Sequence, residues 1–567
     1  MGEFMFQSKQ NTRIKYMFLI CILIFIFVIV KVFYIQVIEY KKLNNLANEL
    51  WSRDLTVQAD RGKILDRNGK VIVDNVTTVG LYLVPNQIIN KEEVSKTLSS
   101  ILEVSYEEMY KHVTKKTSIE RVHPEGRNIS HEKADLISSY NYEGVYLLKE
   151  SKRDYKYGNI LSHVIGYTGI DNQGLSGIEL KYDKTLTGKN GNIKYYSDGK
   201  GKRLSLPETY VSPTSGSDVT LTIDLDIQLS LENELMNAYK KYDAEGAIGI
   251  VMNPKSGEIL AISSIPSFDP ANYKNYSSEI INRNLAIWSN FEPGSTFKIV
   301  TLASAINEGK VDIFKEHFYD SGSIKVANST LHCWKRKGHG DETFIQVVEN
   351  SCNPGFVNLG QRLGKETLFK YITELGFGKK TGIDLPNEQT GIIGKTIADD
   401  LLLNLSIGQY DTYTPIEVLQ YINSVATGKR IKLSLMQEIK NGEETLLENK
   451  SEVLNNVDLD KESLDRIKEG MKLVLSEGTG KFYVPQGLNF AGKTGTSESF
   501  LDTNNDNIVD TATISSTFTG FYPADNPKFS IVVITPNVSH KNGKTDAFYF
   551  GASKITKELV TFLSNNY

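Results

Sequence analysis

The chain has 567 residues, 40% hydrophobic and 23% charged, with a net charge of −4. That is too long for one ordinary domain and apolar enough for two or three well-filled cores. The mixed, slightly acidic charge excludes the basic stripe of a nucleic-acid binder. The three cysteines, Cys21, Cys333 and Cys352, cannot make a disulfide-rich scaffold, so packed cores must hold the fold.

From Tyr16 to Val30 the residues are uninterruptedly apolar, and V-F-Y-I-Q-V-I continues the run past Lys31. About 20 such residues span a bilayer as a helix. Bulky Val32, Phe33 and Tyr34 stand where a cleavage site needs small residues, so an uncleaved membrane anchor is expected rather than a signal peptide. Lys9, Arg13 and Lys15 precede the run, which puts the N-terminus in the cytoplasm and everything from about Tyr40 outside. The expected divisions are a cytoplasmic tail at 1–15, a single transmembrane anchor at 16–38, a β-rich domain at 39–214 and a second domain at 215–567.

Tyr40 to Trp51 extends the helical pattern as a stalk, and short strands with turns follow from Arg53. Asn68-Gly69, between I-L-D-R and K-V-I-V, marks a tight hairpin. Helices are expected over Lys91 to Glu103 and Glu132 to Ser138. After a loop-like stretch at Pro213 to Asp218 come the strand V-T-L-T-I and an amphipathic helix, Asp226 to Tyr242. Then A-I-G-I-V-M and E-I-L-A-I-S-S-I read as strands joined by the turn Pro254 to Gly257. Helical patterns dominate Ser295 to Leu375. Strands return at Leu488 to Thr494, Ala512 to Phe521 and Phe529 to Thr535, before a helix over Ala552 to Leu563. Strands enclosing a helical middle predict an α+β domain whose sheet is closed by distant segments.

The segment E-P-G-S-T-F-K carries Ser295 and Lys298 three apart, which on a helix share a face. A serine hydroxyl needs a base, and a lysine kept neutral by burial or a nearby cation can serve as one. The spacing alone is weak, since Ser197 and Lys200 repeat it in a polar loop. Two further elements change its weight: Ser351-Cys352-Asn353 after a helical stretch, and Lys493-Thr494-Gly495-Thr496 opening a strand. S-x-x-K, S-x-N and K-T-G together are the signature of penicillin-recognising serine enzymes. Ser139-Tyr140-Asn141 and Lys380-Thr381-Gly382 match the second and third elements but lack the context, whereas a strand edge at Lys493 can bind a peptide by β-augmentation.

Order, spacing and flanks resemble the class B penicillin-binding proteins, the monofunctional peptidoglycan transpeptidases. The resemblance covers nearly the whole chain and includes R-G-K-I-L-D-R-N-G at Arg61, H-V-I-G-Y-T-G at His163, G-L-S-G-I-E-L-K-Y-D at Gly174, F-E-P-G-S-T-F-K, and G-F-G-K-K-T-G-I-D-L-P. It implies the penicillin-binding fold, a mostly antiparallel sheet with helices on both sides and a helical subdomain, on a dimerisation-type pedestal. It implies that Ser295 attacks the penultimate D-alanine of a stem peptide, with Lys298 as proton acceptor. Ser351 and Asn353 relay protons and hold the substrate amide, and Lys493 supplies positive charge near Lys298. Thr494, Gly495 and Thr496 form the substrate-binding strand, and the Ser295 and Thr496 amides the oxyanion hole. An amine from a second stem peptide then resolves the acyl-enzyme, and β-lactams trap Ser295. A polytopic cell-wall glycosyltransferase is the partner the family implies.

No cofactor is required for this chemistry. In a subset of the family, however, zinc sits beside the active site on Asp, Cys and His, and Asp320, Cys333, His339 and Cys352 stand at similar places, with His332 a competing ligand. Such ligands suit tetrahedral zinc in a structural role, while a Cys333–Cys352 disulfide or two buried thiols remain open. Asp502, Asn504, Asp506 and Asp510 resemble part of a calcium loop, but Asn507 replaces its glycine and Thr513 its bidentate glutamate, so an acidic hairpin turn is preferred. Two other functions share these motifs: a β-lactam-hydrolysing or carboxypeptidase enzyme, and a wall-synthesis scaffold with a residual site.

Overall fold

An apolar helix, Gly2–Phe33, opens the chain and continues into a π-helical turn, Tyr34–Ile38. Side chains from Arg13 to Ile38 are exposed. The stretch Arg13–Ile38 is 26 residues long. At 1.5 Å per residue it reaches about 39 Å, enough to cross a hydrocarbon core with some tilt. The structure is a computed structural model, and the residues described are 2–44, 52–196, 209–242, 244–326, 328–394, 401–501, 511–539 and 545–567. Most of the expected stalk, the Ser197–Lys200 pair and the Asp502–Asp510 stretch lie outside them.

Contacts divide the chain into two units, Met1–Ala59 with Thr77–Ser151 and Lys189–Thr214, and Asp60–Val76 with Lys152–Gly188 and Ser215–Tyr567. The first unit has its own core of Leu81, Leu83, Val94, Leu98, Met109, Val113 and Ile137. Its helices are Lys91–Leu102, Tyr106–Thr114 and His131–Ser139, with Asn90, Ser105 and Ser130 capping the backbone N–H groups of Glu93, Glu108 and Lys133. Two of these were expected. The third was not, because only Met109 and Val113 of its residues are buried, too few for a visible period. Ser139-Tyr140-Asn141 closes the last of these helices and belongs to this unit.

The second unit is built around a sheet of five strands: β1 (Ala247–Met252), β2 (Ile259–Ile265), β3 (Ala491–Leu501), β4 (Thr511–Tyr522) and β5 (Phe529–Ser539). Their order is β2-β1-β5-β4-β3, antiparallel throughout, so β3 is an edge strand. Every residue of β1 and β2 is buried, which is why both read as continuous apolar runs rather than alternating ones. The unit's main helices are α1 (Leu225–Tyr242), α2 (Lys298–Asn307), α3 (Asn353–Leu363), α4 (Pro415–Thr427), α5 (Lys461–Ser476) and α6 (Thr545–Asn566). A Cβ on Gly249 of β1 would meet Leu231 of α1 at 2.5 Å, while the Ser530 hydroxyl of β5 donates to Asn423 of α4 at 3.0 Å. Gly249 pairs with Val533, an odd number of residues from Ser530, so α1 and α4 cover opposite faces.

Between α2 and α3 the expected helical run is interrupted by two short ribbons, His317–Asp320 with Gly340–Thr343 and Ser323–Val326 with Ser329–His332. They are four-residue strands with few buried side chains, below the length at which alternation can be read. Lys380-Thr381-Gly382 is a structural turn: the Thr381 N–H and hydroxyl both donate to Glu388 at 2.6 Å, and the Lys380 carbonyl accepts from Arg430.

Arg61 and Glu179, from the family-like segments at Arg61 and Gly174, meet inside this unit. Glu179 is fully buried and accepts from Arg61 Nε and Arg153 Nε at 2.6 Å each, while Arg61 Nη1 lies 2.8 Å from Asp183. Taking away the central carboxylate leaves buried Arg153 without its carboxylate and Arg61 with Asp183 alone, a loss of about 3 kcal/mol or more. Glu179→Gln is therefore expected to lower the thermal unfolding midpoint of the full chain in detergent by roughly 5 °C or more. An unchanged midpoint would show that the cluster does not stabilise the fold.

Candidate active site

Ser295 lies in a single 3-10 turn, Gly294–Thr296, and Lys298 is the first residue of α2. The turn is fixed from three directions. Its Gly294 N–H donates to the Gly408 carbonyl at 3.1 Å, the Thr296 carbonyl accepts from Tyr421 at 2.7 Å, and the Thr296 hydroxyl donates to Pro293 at 2.7 Å. Ser295 itself is half-buried.

Strand β3 reaches this turn through glycines. A Cβ on Gly294 (φ 55°) would stand 2.8 Å from the Thr496 carbonyl oxygen and 3.6 Å from the Thr496 nitrogen. One on Gly495 would stand 2.8 Å from the Pro293 carbonyl. Lys493 is fully buried, Thr496 is exposed, and the Thr494 hydroxyl pairs with Thr479 at 3.3 Å. The backbones carrying the first and third motifs are therefore in direct contact, with Thr496 facing solvent beside Ser295.

Lys298 joins the second motif. Fully buried, its ammonium donates to the Ser351 carbonyl at 2.8 Å, the Ser351 hydroxyl at 3.2 Å and Asn353 Oδ1 at 2.6 Å. Three hydrogens meet three acceptors, and none is on Ser295. Burial pushes the Lys298 amine down to about 7, against the pull of the Cys352 and Cys333 sulfurs. Lys493, whose Nζ donates to the Thr494 carbonyl at 2.9 Å, is held well below its usual range by burial and then by the charge of Lys298. Two ammonium groups buried side by side cannot both stay fully charged, so one of the pair is neutral at ordinary pH. A neutral amine has a lone pair for a hydroxyl proton, which is what a serine nucleophile needs.

Ser351 sits between the helix Phe344–Glu349 and α3 with φ 51°, an uncommon conformation for a residue with a side chain. Its neighbours hold it there. The Ser351 and Cys352 N–H groups donate back to Val348 and Val347, and Asn353 Nδ2 donates to the His332 carbonyl at 3.2 Å.

Next to it, Asp320, Cys333, His339 and Cys352 offer ligand atoms that all lie within 4.8 Å of one another. Asp320 Oδ2 is 2.8 Å from His339 Nδ1 and 3.3 Å from Cys352 Sγ, and His339 Nδ1 is 3.5 Å from Cys333 Sγ. The cysteines are unbridged thiols. Although burial opposes its charge, the Gly322 N–H and its other donors hold the Asp320 carboxyl down to about 2. Two sulfurs, an imidazole and a carboxylate, buried and convergent, fit a tetrahedral zinc. His332 is exposed and lies outside the group.

Sequence reasoning missed Gly408 and Tyr421, which seat the nucleophile turn, and Thr479, which meets Thr494. The isolated glycine of S-I-G-Q at 406–409 was the available signal.

Residues 247–553 match the penicillin binding protein transpeptidase domain, and residues 56–221 the penicillin-binding protein dimerisation domain. The chain belongs to the class B penicillin-binding proteins. It is 42% identical to stage V sporulation protein D of Bacillus subtilis over 533 residues, covering 93% of this chain and 81% of that protein. It is 27% identical to the probable peptidoglycan D,D-transpeptidase PenA of Neisseria meningitidis, over 92% and 88% of the two chains. Among solved structures, penicillin-binding protein 2X of Streptococcus thermophilus superposes with a TM-score of 0.72 at 20% identity, covering 91% of this chain and 80% of that one. That last likeness bears on the fold alone and agrees with the expected α+β class.

With Lys298 as the expected base, the acylation rate by a penicillin should rise with pH through about 7 and level off above it. Stopped-flow acylation of the full chain from pH 5 to 9 checks this. A rate flat across that range would remove Lys298 as the base.

Proposed function

We propose that this penicillin-binding protein is a peptidoglycan D,D-transpeptidase acting through a Ser295 acyl-enzyme. The single observation that supports it most is the convergence of three distant segments. Lys298 bonds to both Ser351 and Asn353, and the Ser295 turn touches the backbone of Gly495 and Thr496.

The donor stem peptide lies along the open edge of β3 as an added strand, with its terminal carboxylate at Thr494 and Thr496. Lys298 takes the Ser295 proton as Oγ attacks the penultimate D-alanine carbonyl. The Ser295 and Thr496 amides receive the oxyanion. As the C–N bond breaks, a proton passes from Lys298 through Ser351 to the departing D-alanine amine. An amine of a second stem peptide attacks the ester, its proton leaves by the same route, and Ser295 is released with a new amide bond. A β-lactam follows the first half only, because its ring-opened amine stays tethered.

The anchor makes the protein single-pass, with its N-terminus in the cytoplasm and residues from about 39 outside, the pedestal taken as 39–214 and the catalytic domain as 215–567. The charge flanking the apolar helix supports this orientation. A polytopic glycosyltransferase supplying uncross-linked strands is the expected membrane partner. Ser295→Ala is expected to leave the fold intact and to abolish both the covalent adduct with fluorescent penicillin and D-alanine release. An adduct on the variant would dismiss Ser295, and wild-type adduct that turns over in seconds would favour a hydrolase.

Zinc is proposed on Asp320, Cys333, His339 and Cys352, where it would fix the Cys352 backbone between Ser351 and Asn353 without entering the reaction. Purified protein should carry about one zinc per chain by elemental analysis. Chelation, or Cys333→Ser, should remove it and lower the unfolding midpoint. Metal-free protein with an unaltered midpoint on zinc addition would dismiss the site.

A further inference from the structure

Between Cys333 and His339 the chain forms a short strap, W-K-R-K-G, over the Asp320 turn. Its ends are held by the side-chain cluster that includes Asp320, and its middle by backbone. The Cys333 N–H donates to Gly322 at 2.9 Å and the Gly338 N–H to Lys335 at 2.8 Å. A Cβ on Gly322 would stand 2.3 Å from the Arg336 carbonyl, and one on Gly338 2.1 Å from that of Asp320. With the backbone pressed onto that turn, the side chains between must point outward.

They do. Trp334 is 60% exposed, yet its indole N–H donates to the Asn350 carbonyl at 2.9 Å, one residue before Ser351. The ring also meets His339 edge-on, centroids 5.3 Å apart, so it is held in one orientation while much of its surface stays open to stacking. Lys335, Arg336 and Lys337 are all exposed, and none has a carboxylate partner among the described residues. Three unpaired cations and an oriented aromatic ring therefore stand beside the loop that holds Lys298.

We infer that this strap is a docking ledge for the uncross-linked glycan–peptide strand, with Trp334 stacking on a sugar ring and the three cations meeting the stem peptide's carboxylates. The occupant follows from charge and place. Stem peptides carry free carboxylates and hang from sugars, and whatever binds the ledge is delivered to the Ser351–Asn353 loop. Such rim charges act mainly by steering and weak, salt-sensitive holding. The inference rests on the transpeptidase reading for its ligand but not for its test.

The test measures binding, without turnover, of soluble uncross-linked strands to the full chain in detergent at low and high salt. A variant combining Lys335→Gln, Arg336→Gln and Lys337→Gln should lose about tenfold in affinity and most of the salt dependence. Trp334→Ala should weaken binding at both salts. Penicillin acylation of the triple variant should match wild type, since none of the three side chains takes part in the hydrogen bonds of Lys298, Ser351 or Asn353. Unchanged strand affinity in the triple variant overturns the inference. So does a parallel loss of penicillin acylation, which would make the strap only a support for Ser351. Charge-dependent binding of phosphatidylglycerol vesicles, with none of strands, would assign the ledge to the membrane surface and overturn it too. A chain that binds strands through the ledge but releases no D-alanine sinks the transpeptidase reading and leaves the ledge standing.

Discussion

The site depends on backbone meeting backbone at three glycines. Gly294 carries the turn before the nucleophile, Gly408 receives it, and Gly495 lets the edge strand close on it. A Cβ on Gly408 would stand 2.1 Å from the Gly294 carbonyl, with φ 81° disfavouring any side chain there. Such clearances cannot be relaxed by a rotamer change, because the atoms in the way are main chain. The consequence is precision. Ser295 and Thr496 are placed by main-chain packing rather than by flexible side chains, which suits the oxyanion-binding role proposed for their amides.

Once those backbones meet, burial does the rest of the electrostatics. Lys298 and Lys493 have no exposed surface and no carboxylate in their hydrogen bonds. Their charged forms are supported only by carbonyls, a hydroxyl and an amide. A carboxylate beside either amine would oppose that shift and favour the charged form. The Cys333 and Cys352 sulfurs pull Lys298 the other way, so a cation bound among them would offset that pull and favour the neutral amine further.

Much of this was legible in the sequence, for identifiable reasons. The strands β1 and β2 are buried on both faces, so their apolar runs survive any register error. The helix α1 shows its period because one stripe, including Ile227, Leu231 and Leu235, is wholly buried. The three catalytic motifs are short and keep fixed spacing, so they can be found without knowing how they meet. The ribbons between α2 and α3 were invisible because four-residue strands carry no period. Strand β3 starts at Ala491, not Leu488 as its pattern suggests, because Leu488 and Phe490 instead form a turn, with the Phe490 N–H donating to the Leu488 carbonyl. Gly408 has no motif of its own. Its role comes from a partner more than a hundred residues earlier, and no local pattern reports such a distance.

The S-C-N segment shows how a strained position is kept. Ser351 at φ 51° costs of order 1 kcal/mol or more relative to an extended or helical residue, and its side chain makes only the long bond from Lys298. The neighbours on both sides hold it. Asn350 is tied to Glu342 and receives the Trp334 indole on its carbonyl, Cys352 belongs to the thiol–imidazole–carboxylate cluster, and Asn353 begins α3 while bonding to Lys298 and His332. Each tie restrains a residue other than Ser351, leaving its hydroxyl unencumbered except by the Lys298 amine. The proton relay proposed for this hydroxyl, donating in one step and accepting in the next, is compatible with its having no other fixed partner. The cluster and the Trp334 contact therefore make sense as scaffolding placed one residue away from the chemistry, close enough to hold the turn and far enough to leave the proton path open.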